Sequence, residues 1–151
     1  MSGIKDIWHY ANNTINSARQ MVNEALQPFG LSSAEGNILL HLLGGEKILR
    51  QEDLVEQLEI SKPAISRALL SLERKGLITR ERDPGDKRAS RVNLTEAALL
   101  IGPKVQDIYE GVFGIATQGV SEEEITQFIE VFRRVSESFA RAREESRQRG
   151  A

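Results

Sequence analysis

The chain predicts a mainly α-helical fold with a small β-ribbon, an α+β arrangement, on three observations. Apolar residues recur every three or four positions through most of the 151 residues, the spacing that gives a helix one apolar face. Residues 78–94 break that rhythm and read as two short strands around the turn Asp83-Pro84-Gly85-Asp86. The basic residues crowd into the same region. Residues 62–91 hold nine Lys/Arg against four Asp/Glu, a net +5, whereas the whole chain carries −2 and the remainder therefore −7. A basic island in an acidic chain is the footprint of a polyanion site.

The elements follow in order. Ile4, Ile7, Trp8, Ala11, Ile15, Ala18, Val22 and Leu26 form one stripe, which predicts a long helix over about 3–27 that Pro28, Phe29 and Gly30 stop. Ser32 or Ser33 then caps a second helix through Ile38, Leu39, Leu42 and Leu43, ended by Gly44 and Gly45. A short third helix, about 51–59, turns Leu54, Val55 and Leu58 inward. Ser61 caps the fourth, with Pro63 in its first turn, where backbone N–H groups lack helical partners. Its buried face is Ile65, Leu69 and Leu72 with Ala68, and Gly76 terminates it in a left-handed conformation. The strands are 78–82 and 90–94, joined by a turn whose Pro84 and Gly85 suit type II. A fifth helix, about 96–118, carries Val105, Ile108, Tyr109, Val112 and Phe113. Ser121 and Glu124 form a capping box that opens the last helix, with the stripe Ile125, Phe128, Ile129, Phe132, Val135 and Phe139. From Arg141 onward the tail is highly charged and is expected to fray or stay solvated.

A helix, a turn, a second helix and then a ribbon is the order of a winged helix-turn-helix, which sets one helix in the DNA major groove and a hairpin beside it. The expected organisation is an N-terminal dimerisation helix over 1–30, the winged helix-turn-helix over 31–95 and C-terminal dimerisation helices over 96–151. The dimer is expected because a small winged-helix body cannot cover the stripes that carry Trp8, Phe128, Phe132 and Phe139.

Composition narrows the class. Hydrophobic residues make up 40% of the chain, enough for a core. No apolar run approaches the ~18 residues that span a bilayer, and residues 1–5 lack a signal-peptide layout, so a cytoplasmic protein without membrane contact is expected. Zero cysteines exclude disulfides, thiolate zinc sites and a cysteine redox sensor within this chain. Only His9 and His41 offer imidazoles, so a multi-histidine metal site is not expected, while a carboxylate-rich or intersubunit site stays open; no metal residue is assigned and no cofactor is expected. There is no phosphate loop, no nucleophile elbow and no metal-ligand spacing, and an enzyme is not expected.

The candidate DNA-binding residues lie on the fourth helix and the ribbon. The buried face leaves Ser61, Lys62, Ser66, Arg67 and Leu70 outward, with Arg74 further along. Arg67 is the first choice for base reading, because its fork can bond guanine O6 and N7 together. Ser66 suits a base or a phosphate, and Pro63 and Ala64 suit a thymine methyl. Lys62 at the helix N-terminus suits phosphate. On the ribbon, Lys87 and Arg88 follow the turn, where a cation can enter a narrow minor groove. Asp86 is expected to pair with Arg88, and Arg80, Arg82 and Arg91 to meet phosphate. The plain alternative is a solvated helix face and an ordinary charged hairpin.

The segments Ser61-Lys62-Pro63-Ala64-Ile65-Ser66-Arg67, Leu72-Glu73-Arg74-Lys75-Gly76-Leu77-Ile78, Asp83-Pro84-Gly85-Asp86-Lys87-Arg88 and Val92-Asn93-Leu94-Thr95-Glu96 resemble the multiple-antibiotic-resistance regulator (MarR) family. The resemblance implies a homodimeric transcription factor whose first and last two helices form the dimer interface. It implies a wing pair of Asp86 and Arg88, with Arg88 near the minor groove and residues 61–70 facing the major groove. There are departures from the family pattern. Arg50 stands where a small capping residue is common, Arg91 replaces a usually aliphatic wing residue, and Ala97-Ala98 replaces a common glycine. The resemblance also implies a small aromatic or anionic effector, for which Trp8, His9, Tyr10, Met21, Phe29 and His41 are the candidates. Trp8 lies on an apolar stripe and is read first as a core residue, and both histidines first as surface or satisfied core residues.

The function expected is a sequence-specific, dimeric regulator, a repressor that an effector releases, reading a pseudo-palindrome in double-stranded DNA. The alternatives are a non-specific or architectural DNA binder and a winged helix used for protein–protein contact, which would not need the basic island.

Overall fold

The computed structural model describes residues 2–45, 49–58 and 60–150, without the side chains of Ser2, Leu49 and Lys87. The expected end of the third helix, Glu59, lies outside the described residues. The chain forms two compact units, Met1–Val112 and Phe113–Ala151. Among the described residues no helix is long and apolar enough to cross a membrane.

In the first unit, helix α1 (Ser2–Leu26) runs into a 3-10 turn at Gln27–Phe29, which Gly30 closes at φ 66°. Helix α2 (Ser33–Gly44) is capped by Ser32, whose hydroxyl accepts from the Glu35 N–H at 3.2 Å. Strand β1 (Leu49–Arg50) leads directly into α3 (Gln51–Leu58), and α4 (Lys62–Arg74) follows. Strands β2 (Ile78–Asp83) and β3 (Asp86–Leu94) form the ribbon, and α5 (Glu96–Ala116) begins after it. The core is built from Val22 and Leu26 of α1, Ile38, Leu39 and Leu42 of α2, and Leu54 of α3. Ile65, Ala68, Leu69 and Leu72 of α4, Ile78 and Val92 of the ribbon, Ala98 and Val105 of α5, and Leu31 and Leu77 of the connections complete it. The apolar faces expected of the second, third and fourth helices are the faces that pack. At Gly36 a Cβ would stand 2.5 Å from Leu26 Cδ1 and 2.9 Å from the Tyr109 hydroxyl, so the absent side chain lets α1 and α5 close on α2.

Several expectations are corrected. The ribbon is not alone: β1 adds a third strand in the order β1-β3-β2, pairing Leu49 with Val92 and Arg50 with Arg91. Two residues are too few to show an alternating pattern, so nothing local announced this strand. Strand β3 starts at Asp86, not Ser90, because the polar residues after the turn still pair across the ribbon, with Arg82 opposite Ser90 and Asp83 opposite Asp86. The turn is not type II. That geometry needs a positive φ at Gly85, and the glycines with positive φ are Gly30, Gly76 and Gly119. Instead the Gly85 N–H donates to Asp83 Oδ1 at 2.9 Å, an aspartate-closed turn. Trp8 is not core within the chain: it is 73% exposed, as are most apolar residues along the first two thirds of α1.

The second unit holds the end of α5 and α6 (Glu122–Arg149). The capping box forms as expected: Ser121 Oγ accepts from the Glu124 N–H at 3.2 Å, and Glu124 accepts from the Ser121 N–H at 2.8 Å. Of the two expectations for the tail the second holds: it stays exposed to solvent, and it continues α6 to Arg149 without fraying. Its Ala, Glu, Arg and Gln residues are good helix formers, and pairs such as Glu144–Gln148 brace successive turns. No residue of α6 is buried, and Phe128, Ile129, Phe132, Val135 and Phe139 are all exposed.

Candidate nucleic-acid interface

Local chemistry fixes the presentation of α4. Ser61 Oγ accepts from the Ala64 N–H, and Pro63 occupies the first turn, where it removes no helical hydrogen bond. At the other end Gly76 adopts φ 72°, and the Gly76 and Leu77 N–H groups return to the Glu73 and Leu72 carbonyls, each at 3.0 Å. With Ile65, Ala68, Leu69 and Leu72 buried, the opposite face is Lys62, Pro63, Arg67, Leu70 and Arg74, all exposed. Ala64 and Ser66 lie half-buried at its edge. Ser66 is not free: its hydroxyl accepts from Gln51 Nε2 at 2.7 Å, which ties the first turn of α3 to α4.

The structure sorts the cations into two groups. Lys75, Arg80 and Arg91 are engaged internally. Lys75 Nζ donates to Glu35 Oε2 at 2.6 Å and to the Gly30 carbonyl, joining the end of α4 to the corner before α2. Arg80 meets Glu73 through Nε at 3.3 Å and Nη2 at 3.1 Å. Those bonds, first the side-chain contact and then the positive charge, hold the Glu73 carboxyl below its usual range. Arg91 Nη2 lies 3.3 Å from Asp83 Oδ1. Among the described residues, Lys62, Arg67, Arg74, Arg82 and Arg88 enter no ion pair. Lys87, also expected to contact DNA, has its side chain outside the described residues. The bias of the island is thus carried outward by a subset of its cations, on the α4 face and the ribbon.

Two of these are brought together. A cleft of about 220 Å³ opens between the start of α3, the start of α4 and the ribbon, lined by Arg50, Gln51, Glu52, Val55, Lys62, Arg88, Ala89 and Ser90. Lys62 and Arg88, from the expected major-groove helix and the expected minor-groove hairpin, therefore face one hollow.

The expected Asp86–Arg88 side-chain pair is not formed. Asp86 Oδ1 accepts instead from the Arg88 backbone N–H at 3.0 Å, which braces the chain and leaves the guanidinium outward. The charged brace of the ribbon is Asp83, only 2% exposed, with Arg50 Nη2 at 2.7 Å from Oδ2 and Arg91 on the other oxygen. The Gly85 N–H bond, above all, and the two guanidiniums keep its carboxyl below the ordinary range against the opposing cost of burial. Sequence reasoning missed this carboxylate because Asp83 was read as a turn residue. The signal available was the pair of unusual arginines, Arg50 and Arg91, that converge on it.

The effector candidates are not gathered into one pocket. Trp8, His9 and Tyr10 sit together on the exposed start of α1, where His9 hydrogen-bonds Asn13 at 3.0 Å. Met21 lies on α1, and the Phe29 ring has Lys104 Nζ 5.9 Å from its centre. His41 is half-buried, hydrogen-bonds Gln57, and lines a separate cleft with Asn37, Leu40 and Leu58.

Residues 29–89 match the sequence profile described as the MarR family. The whole fold is similar to solved structures. A MarR transcriptional regulator from Methanosarcina mazei Go1 superposes with a TM-score of 0.82 at 24% identity, over 89% of this chain and 99% of that one. A structure described as MarR gives 0.78 at 26% identity, over 92% and 94% of the two chains. A MarR-family regulator from Listeria monocytogenes, solved with a 26mer DNA, gives 0.79 at 24% identity over 91% and 88%.

Proposed function

The chain belongs to the MarR family of winged helix-turn-helix transcriptional regulators, and from that premise we propose that it is a homodimer reading a pseudo-palindromic operator in double-stranded DNA. It represses transcription in the cytoplasm until a small aromatic or anionic effector releases it. One observation carries the DNA-binding reading: Lys62 and Arg67 on the exposed face of α4, and Arg88 on the ribbon, enter no ion pair among the described residues, and Lys62 and Arg88 border one cleft. Counter-charges for these side chains come from phosphate, with release of condensed cations as the driving force. In this reading Arg67 meets a base edge, Lys62 and Arg74 meet phosphates, and Arg88, with Lys87, approaches the minor groove. Ser61, Pro63, Ala64 and Leu70 complete the major-groove surface. Arg80, Asp86, Arg91 and Ser66 support its geometry from within, and Arg82 lies on the ribbon flank within reach of the backbone.

The dimer is favoured by the uncovered apolar residues of α1 and α6, including Trp8, Ile7, Phe128 and Phe132. The effector is favoured by the aromatic and histidine side chains exposed near the start of α1. The test is selection from a random duplex pool at near-physiological salt. The expected outcome is an enriched inverted repeat with half-sites about one helical turn, ~10 bp, apart. Binding without enrichment that vanishes as salt rises would instead identify a non-specific binder.

A further inference from the structure

We infer that Arg50 is a positioning residue of the DNA-reading surface, holding the ribbon against the helix-turn-helix by gripping the buried carboxylate of Asp83 and not by touching DNA. Its consequence for DNA rests on the function proposed above; the grip itself does not.

Arg50 stands at a junction. It ends β1, and its backbone N–H donates to Asp53 Oδ2 at 3.1 Å, so it also opens α3. Its side chain leaves that junction for the far end of β2, where Nη2 lies 2.7 Å from Asp83 Oδ2. Asp83 is the last residue of β2 and closes the turn through Gly85. One side chain therefore joins the first helix of the helix-turn-helix to the base of the ribbon tip.

Register adds a second argument. Arg50 pairs directly with Arg91 across β1 and β3. Like charges directly opposite one another destabilise a sheet. Here the two guanidiniums are held at 2.7 Å and 3.3 Å on opposite oxygens of one carboxylate, and the repulsion becomes a bridge. Both arginines depart from the pattern of the family, and both departures end on the same acid. Arg50 remains 47% exposed and borders the cleft with Lys62 and Arg88, so a direct phosphate contact is the competing role.

The experiment uses the full chain with Arg50→Met, Asp83→Asn, the double variant and Arg50→Lys. Amide hydrogen exchange of residues 83–90 is read without DNA. Affinity for the selected operator is read across a salt series. Arg50→Met is expected to speed exchange in the ribbon and leave α4 unchanged. It should weaken operator binding by roughly fivefold, what a partly exposed ion pair can contribute. The salt slope should stay unchanged, and Arg50→Lys should restore part of the loss. The double variant should bind no worse than Asp83→Asn alone, because Arg50 acts only through that carboxylate, which also holds Arg91. A slope shallower by about 0.9, the value of one phosphate, would overturn the inference and make Arg50 a phosphate ligand. Unchanged exchange in the ribbon would overturn it as well. If the unmodified protein selects no operator, the proposed function fails, while the exchange measurement still decides the grip.

Discussion

Arg67 and Arg91 carry the same charge, and their surroundings give them opposite work. Arg67 projects from the exposed face of α4, whereas Arg91 is drawn to a buried acid in its own ribbon. Arg67→Ala is expected to lower operator affinity by about 1–3 kcal/mol and relax preference at one base pair, the signature of a lost bidentate contact. Binding measured over single-base operator variants checks it; a uniform loss across all variants would assign Arg67 to phosphate. Asp83 makes a pH prediction. Its folded-state carboxyl titrates below the ordinary value, chiefly through the Gly85 N–H and then through Arg50 and Arg91. A group depressed in this way contributes its stability above the unfolded-state value, about 3.9, and loses it as pH falls through the folded value. The melting-temperature gap between the unmodified protein and Asp83→Asn should be flat from pH 5 to 8, roughly, and close below about pH 4.

At the scale of elements, α4 and the ribbon are separately built and jointly aimed. The helix is set by its own sequence: a serine cap, a first-turn proline, a buried stripe and a glycine stop. The ribbon depends on partners outside itself, since β1 pairs along β3 and supplies Arg50. Arg88 tests whether the ribbon binds on its own account. Its backbone N–H, not its guanidinium, is what Asp86 holds, so Arg88→Ala removes a reaching cation without unlacing the hairpin. Binding should weaken across all sequences, the salt slope should fall by about one, and size-exclusion chromatography should show an unchanged dimer. A monomeric variant would mean that ribbon and dimer are not separable. Gly36 marks the packing of the helices behind this surface. Gly36→Ala would drive a methyl against Leu26 and Tyr109; overpacking costs about 1–3 kcal/mol, against roughly 1 kcal/mol gained in helix propensity. A lowered or barely changed midpoint in urea is expected, and a clear rise would show that α1 and α5 relax freely.

At the scale of the whole molecule, the apolar residues fall into two populations. Those of α2, α3, α4 and the ribbon close a core that also takes in Val22 and Leu26 of α1 and Ala98 and Val105 of α5. Those at the start of α1 and along α6 have no cover within the chain: Ile4, Ile7 and Trp8, and Phe128, Ile129, Phe132 and Phe139, are all exposed. In the proposed dimer, a 28-residue helix with no buried residue would gain its stability from the partner's surface more than from propensity. A chain ending at Val120 should therefore lose dimerisation, seen by analytical ultracentrifugation, while far-ultraviolet dichroism keeps the signal of the first unit. A well-behaved dimer of that product would remove α6 from the interface.

The sequence by itself determined the helices, the inward faces of α2, α3 and α4, the caps at Ser61 and Ser121 and the concentration of positive charge on α4 and the ribbon. All of these follow from residues within a turn or two of each other, so local periodicity and capping chemistry write them directly into the chain. Only the tertiary structure decided which cations are available. Lys75 and Glu35 are forty residues apart in sequence, and Arg50 reaches Asp83 from a strand too short to announce itself. Such pairings depend on how the core brings distant segments together, and a count of charges along the chain cannot separate a guanidinium that faces outward from one neutralised by an acid on another element.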